Sequence, residues 1–248
     1  MKSILRAAIF VVIAVAGLWL FFDRPFSYRF RVIVEVEKEG IVHSGSSVIE
    51  LTTWRHRLLS GLDNIGDWET SHSGEAVFVD LGDGENLIML LAENGYSESA
   101  TLMPARAILG DEVVKKTPGC CRWDLMATNY RSMLDQIKDR IFVLKTDQLP
   151  SFIKFDDLSD PFSVKAVSRK SLNDSYRGPV RLNAIRISIT DDEHDRIICR
   201  KLPFLAKLRS DQSLSGRIGT LGRAGVEAYS TPGQIAVGDL IEGFACEK

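Results

Sequence analysis

Gly74 to Ala92, GEAVFVDLGDGENLIMLLA, decides the fold. Ala76–Leu81 and Leu87–Ala92 are two apolar runs rich in strand-forming residues, separated by Gly82, Asp83 and Gly84. An Asp-Gly pair supplies the positive φ that a tight hairpin needs, so the stretch reads as two antiparallel strands. In the first arm Val77, Val79 and Leu81 share one face while Ala76 and Phe78 take the other. In the second arm both parities are apolar, which predicts a hairpin covered on both faces and central in its sheet.

Working outward, Phe30, Val32, Val34 and Val36 alternate with Arg29, Arg31, Glu35 and Glu37, the pattern of a half-buried strand. Glu39-Gly40 turns the chain toward Ser46–Thr53, a second strand paired with the first in a meander that the central hairpin continues. Residues 54–73 read as a long loop with one helical turn over Trp54–Leu59, because Gly61, Asn64, Gly66 and Ser73 interrupt any periodicity. Downstream, Thr117-Pro118 offers a helix start. Trp123, Met126, Ala127, Tyr130, Leu134, Ile137 and Ile141 follow at helical spacing, which predicts one amphipathic helix packed on the sheet. Ile141–Leu144 and Leu182–Thr190 read as strands, the latter with Ile185, Ile187 and Ile189 inward. Leu149-Pro150, Asp160-Pro161 and Gly178-Pro179 break the intervening chain into short pieces. The fold class is α+β: a transmembrane helix, then a mainly antiparallel sheet with one packed helix.

Ala7–Phe22 is an unbroken apolar run of 16 residues, or 19 counted from Ile4 across Arg6. That approaches the roughly 20 residues needed to cross a bilayer. Ala14-Val15-Ala16 has the small-x-small form of a signal-peptidase site, but the apolar run continues to Phe22, which favours an uncleaved signal anchor. Basic residues flank both ends: Lys2 and Arg6 before, Arg24, Arg29 and Arg31 after. A short basic tail ahead of an apolar run fits an anchor whose large downstream domain is exported. The resulting organisation is an anchor over 1–22, a tether over 23–28 and a soluble α+β domain over 29–208, with a candidate sub-boundary at 141–150. A glycine-rich tail over 209–248 holds seven of the 19 glycines. From Phe22 to Arg29 an extended chain reaches at most about 25 Å, so the domain works close to the membrane.

The chain has 248 residues and a formal charge of −2; setting aside Lys2 and Arg6 leaves 29 basic against 33 acidic residues, a net of −4. That balance argues against attraction to a phosphate backbone, and nucleic acid is not an expected partner. The four cysteines, Cys120, Cys121, Cys199 and Cys246, form no CxxC pair and no zinc spacing. In an oxidising compartment Cys199 and Cys246 are the candidate pair, since a bridge there staples the glycine-rich tail to the body; pairing of either with Cys120 or Cys121, or four free thiols, are the alternatives.

Asp191, Asp192, Glu193, His194 and Asp195 supply hard oxygen ligands and one imidazole, a candidate divalent-cation site. Their spacing matches no EF-hand or HExxH pattern, and a solvated turn after a strand is the simpler reading. His43, Ser44, Ser46 and Ser47 invite a serine-hydrolase reading. There is no GxSxG elbow, however, and neighbours on a strand point to opposite faces. His56 and His72, with Asp63 and Asp67, are the remaining titratable groups of the 54–73 segment. No catalytic constellation emerges and no cofactor is called for.

The ordered set HSGSSVIEL, GEAVFVDLGDGENLIMLL, LPSFIKFDDLSDPFSVKAVS, GPVRLNAIRISITDD and KLPFL resembles an uncharacterised family of short bacterial membrane-anchored proteins, over roughly Arg29 to Leu205. The resemblance implies an N-terminal anchor followed by a soluble domain, and brings no reaction, ligand or functional residue. The expected function is a membrane-tethered, non-catalytic accessory or binding module on the periplasmic side of the inner membrane, with a membrane or periplasmic protein as partner. The alternative is an envelope hydrolase or metal-dependent enzyme built on the 54–73 loop or the 191–195 patch.

Overall fold

A computed structural model describes residues 26–55, 68–91, 103–104, 107–108, 130–138, 140–145, 150–160, 163–167 and 172–204, together with Arg6 and Ile9. The chain is sheet-rich. Strands β1 (Phe26–Lys38), β2 (Ile41–Arg55), β3 (Trp68–Gly74), β6 (Ile141–Val143) and β9 (Val180–Thr190) form one antiparallel sheet in the order β3-β2-β1-β9-β6. Strands β4 (Val77–Asp80), β5 (Asn86–Met89), β7 (Phe152–Phe155) and β8 (Val164–Val167) form a second, in the order β4-β5-β7-β8, again antiparallel throughout. Two short α-helices, α1 (Tyr130–Ile137) and α2 (Ile197–Lys201), and a 3-10 turn at Leu172–Ser175 are the other described elements.

The alternation of β1 does what it predicts: Phe30, Val32, Val34 and Val36 are fully buried. They meet Ile49 and Leu51 of β2, Ile185, Ile187 and Ile189 of β9, and Val77, Val79, Leu87 and Met89 of the smaller sheet in one core between the two layers. The smaller sheet is apolar on its far face as well. There Ala76, Phe78, Ile88, Leu90, Ile153 and Phe155 pack with Ile198, Leu202 and Phe204 of the segment containing α2. Both parities of the GEAVFVDLGDGENLIMLLA stretch are buried for this reason: it lies in the middle of three layers.

The hairpin forms in the expected register, Val77 against Met89 and Asp80 against Asn86. Its turn places Gly82, Asp83 and Gly84 all at positive φ, closed by Leu81 N–H to Glu85 O and Glu85 N–H to Gly82 O, each 2.9 Å. Lys38, buried at the end of β1, reaches the turn with Nζ 2.8 Å from Glu85 and 3.3 Å from the Leu81 carbonyl. The hairpin is not central, however, and does not continue the β1–β2 meander. It opens the second sheet, in which β5 is interior and β4 is the edge. β4 is nevertheless buried because β2 crosses it at Gly45, where a Cβ would overlap the Phe78 carbonyl. A side-chain pattern reports that both faces are covered; it does not report what covers them.

The expected loop over 54–73 is shorter than read. Trp54 and Arg55 end β2, and Trp68–Gly74 pair with it as β3, Trp68 opposite Arg55 and Gly74 opposite Ile49. Ser71, His72 and Ser73 carry no apolar alternation, yet an edge strand is held by its main-chain ladder whatever its side chains. Strand β1 begins at Phe26, ahead of the Arg29 boundary that the alternation indicated. Of the expected amphipathic helix, Leu134 and Ile137 lie in the core on α1, while Ile141 is not on the helical stripe but starts β6. Residues 117–129 lie outside the described residues. So do the 209–248 tail and, except for Ile9, the 7–22 run; among the described residues no helix is long and apolar enough to cross a membrane. Each sheet draws strands from both sides of position 141.

Candidate functional site

The face of the larger sheet turned away from the core collects the charged half of the β1 alternation. Arg29 Nε lies 2.7 Å from Glu50 Oε2 on β2. Arg31 is shared among Ser46 Oγ at 3.2 Å, Asp192 Oδ2 at 3.0 Å and Asp195 Oδ2 at 3.3 Å. Arg186 grips Glu35 with two bonds of 2.9 and 3.1 Å. Glu37 takes Arg181 at 2.9 Å and Asn183 at 3.4 Å, which hold its carboxyl below the usual carboxylate range. Arg29 and Glu50, and Glu37 and Arg181, are directly opposed in the β1–β2 and β1–β9 registers, Glu35 and Arg186 are diagonal neighbours, and Asp192 and Asp195 reach Arg31 from beyond the end of β9. Being solvent-facing, each pair contributes little to stability, but together they occupy the polar face.

The acidic patch lies over this face, and its carboxylates diverge. Asp191 pairs with Lys138 of the segment carrying α1. Asp192 is bonded by the Thr190 hydroxyl and by Arg31, which hold its carboxyl low. Asp195 goes to Arg31 and Glu193 is exposed. His194 directs Nδ1 to the Val48 carbonyl at 3.0 Å, so Nδ1 is the donor of that bond. Nε2 faces Ser73 Oγ at 3.4 Å and Glu50 Oε2 at 3.6 Å. The structure thus brings together two segments that the sequence flagged separately, Ser73 from the 54–73 stretch and His194 from the patch. At 3.4 Å the hydroxyl contact is long for an O–H···N bond. What the ring accomplishes is to clamp residues 191–195 over Val48, which is fully buried although it stands on the outer face. Among the described residues no three His, Cys, Asp or Glu side chains converge as a metal site.

The other sequence candidates are dispersed. His43 stands opposite Val36 and Ser44 opposite Glu35, on opposite faces of β2. Ser46 bonds Arg31, and Ser47 is buried, donating to the Glu75 carbonyl at 2.6 Å. His72 is opposite Leu51 on β3. His56, Asp63 and Asp67 lie outside the described residues.

A group that the sequence reading passed over is Glu75, 3% exposed in the short link between β3 and β4. Burial pushes its carboxyl above the usual range, opposed by main-chain N–H groups of Ile198, Cys199 and Ile197 at the start of α2. Ile198 N–H donates to Oε2 at 2.9 Å, and Cys199 Sγ lies 2.8 Å from Oε1. Cys199 is disulfide-bonded; Cys120, Cys121 and Cys246 all lie outside the described residues. A half-cystine has no thiol proton to donate, so the sulfur contact is a hydrogen bond only when Glu75 is protonated. The one signal for this residue in the sequence is an acid standing alone between a strand end and an apolar run.

Apolar side chains also break the polar surface. Among the described residues the large exposed ones on the sheets are Ile41 and Val42, 63% and 58% exposed at the β1–β2 tip, and Ile141 and Val143, 62% and 55% exposed on the terminal strand β6. No family model, no curated protein and no solved structure matches this chain.

Proposed function

We propose that the protein is a membrane-tethered, non-catalytic accessory module of the bacterial cell envelope, anchored by residues 1–22 with its sheets outside the cytoplasm, and that it acts by binding another protein. The observation that carries this reading is the pairing of a very short link with exposed apolar side chains. β1 starts at Phe26, so only Asp23, Arg24 and Pro25 separate it from the apolar run, a reach of about 14 Å when extended. A sheet held so near a bilayer, with four β-branched side chains in water, suits docking to a neighbour in or on that membrane. The disulfide at Cys199 supports an oxidising compartment. The enzymatic alternative draws on Ser73, His194 and the acidic patch, whose groups are engaged with Val48, Arg31 and Lys138.

Isolation of the intact chain in a mild detergent, followed by identification of what accompanies it, tests the reading. A protein recovered in fixed proportion to the chain, and lost when Ile41, Val42, Ile141 and Val143 are changed to serine, is the expected result. Recovery of the chain alone contradicts it.

A further inference from the structure

Strand β6 ends the larger sheet, and its hydrogen-bond parity decides what its open edge presents. Leu144 donates its N–H to the Ile185 carbonyl at 2.9 Å. The register sets Val143 against Arg186, Phe142 against Ile187 and Ile141 against Ser188. In an antiparallel ladder, residues that exchange bonds with the neighbouring strand alternate with residues that do not. Leu144 and Phe142 therefore turn their main-chain groups toward β9, while Ile141 and Val143 turn theirs away. These are the same two residues whose side chains are 62% and 55% exposed. Among the described residues β6 pairs with no strand but β9. Edges that must stay unpaired are blunted by a charge, a proline or a bulge; this one offers two β-branched side chains together with N–H and C=O groups that no other described strand takes. Exposed Arg140 and Lys145 stand at its two ends.

We propose that this edge accepts an extended segment of a partner protein as a sixth strand, a segment that alternates β-branched or aromatic side chains and carries carboxylates at its ends. The proposal rests on the tethered-module reading and names the surface and the chemistry of its partner. Main-chain bonds to Ile141 and Val143 supply the pairing, as in other cases of strand addition. Packing on their side chains supplies selectivity, and carboxylates opposite Arg140 and Lys145 set the register. A second copy of this chain fits less well, because it brings its own Arg140 and Lys145 to the same junction. Through Ser188, Ile141 is level with Arg31, five residues beyond the start of β1. That is roughly 17 Å along the strand, on the half of the sheet nearer the tether, within reach of a juxtamembrane segment of another membrane protein.

The test uses the full chain in detergent micelles and, as probe, a synthetic six-residue peptide that alternates valine and threonine between terminal aspartates, the span from Arg140 to Lys145. In the free chain the amides of Ile141 and Val143 exchange with solvent faster than those of Phe142 and Leu144, and the peptide slows them. Val143→Pro leaves the unfolding temperature unchanged, because proline at an outward position gives up no bond to β9, and weakens the peptide at least about tenfold. The double change Arg140→Glu, Lys145→Glu weakens the aspartate-flanked peptide several-fold and not a lysine-flanked one. The proposal is overturned if the peptide leaves those two amides unaffected or if Val143→Pro binds it unchanged. It is equally overturned if Val143→Pro unfolds the domain, since that N–H would then serve β9. Protection of the two amides that grows with protein concentration would assign the edge to a second copy instead. None of these readouts depends on membrane orientation, so they fail independently of the tether.

Discussion

Glu75 is a buried acid whose environment favours the proton, and this has a definite sign in the pH dependence of stability. Its folded-state carboxyl titrates above the ordinary range because burial outweighs the N–H groups of Ile198, Cys199 and Ile197. The unfolded chain releases that proton at the usual pH of about 4.3, so between that value and the raised folded value the native state holds more protons than the unfolded state. Stability from this group is complete below the ordinary carboxyl range and declines as pH rises through the window. Glu75→Gln does not titrate there. Denaturant midpoints measured at a series of pH values should show the variant gaining on the native chain as pH rises across that window. Parallel curves would show that Glu75 is not held protonated. The sequence did not disclose this residue, because an acid alone ahead of an apolar run does not reveal a burial that comes from α2, more than a hundred positions later. The residues that were legible are those on the polar side of an alternation: Arg29, Arg31 and Glu35 alternate with the buried row of β1, and opposite charges meet Arg29 and Glu35 from the neighbouring strands and Arg31 from the segment that follows β9.

Elements were legible where the period of the side chains coincided with one-sided burial. β1, β9 and the β4–β5 hairpin all follow from alternation and a glycine turn. β3 did not, since Ser71, His72 and Ser73 leave only a main-chain ladder to define it. The pairing of elements across layers was also invisible: the hairpin's covered faces are explained by β2 crossing β4 and by the α2 segment packing behind the small sheet. Gly45 is where that crossing is tightest, with no room for a side chain against the Phe78 backbone. Gly45→Ala should destabilise the domain by about 3 kcal/mol, because backbone must move to admit the methyl. Gly84→Val strains a left-handed turn residue with open space around it and should cost roughly 1 to 2 kcal/mol. Urea denaturation of both variants checks the order, and a Gly45→Ala variant as stable as the native chain would mean that β2 does not cross β4 closely.

At the scale of the molecule, sheet-rich and antiparallel architecture could be read from the chain, but the division into two sheets could not. Strands adjacent in sequence separate between layers at Gly74, and β9 returns from late in the chain to lie beside β1. Such long-range pairings leave no local periodicity. The charged outer face, the exposed β-branched pairs and the short link from Phe22 to Phe26 are what support the proposal of a module that stands on a membrane and meets a partner there. An alkaline phosphatase fusion after Lys248, with the mature N-terminus sequenced in parallel, tests that claim most directly. The account predicts an active, extracytoplasmic enzyme on a chain that keeps Met1–Phe22; an inactive, cytoplasmic fusion, or a chain starting at Gly17, would contradict it.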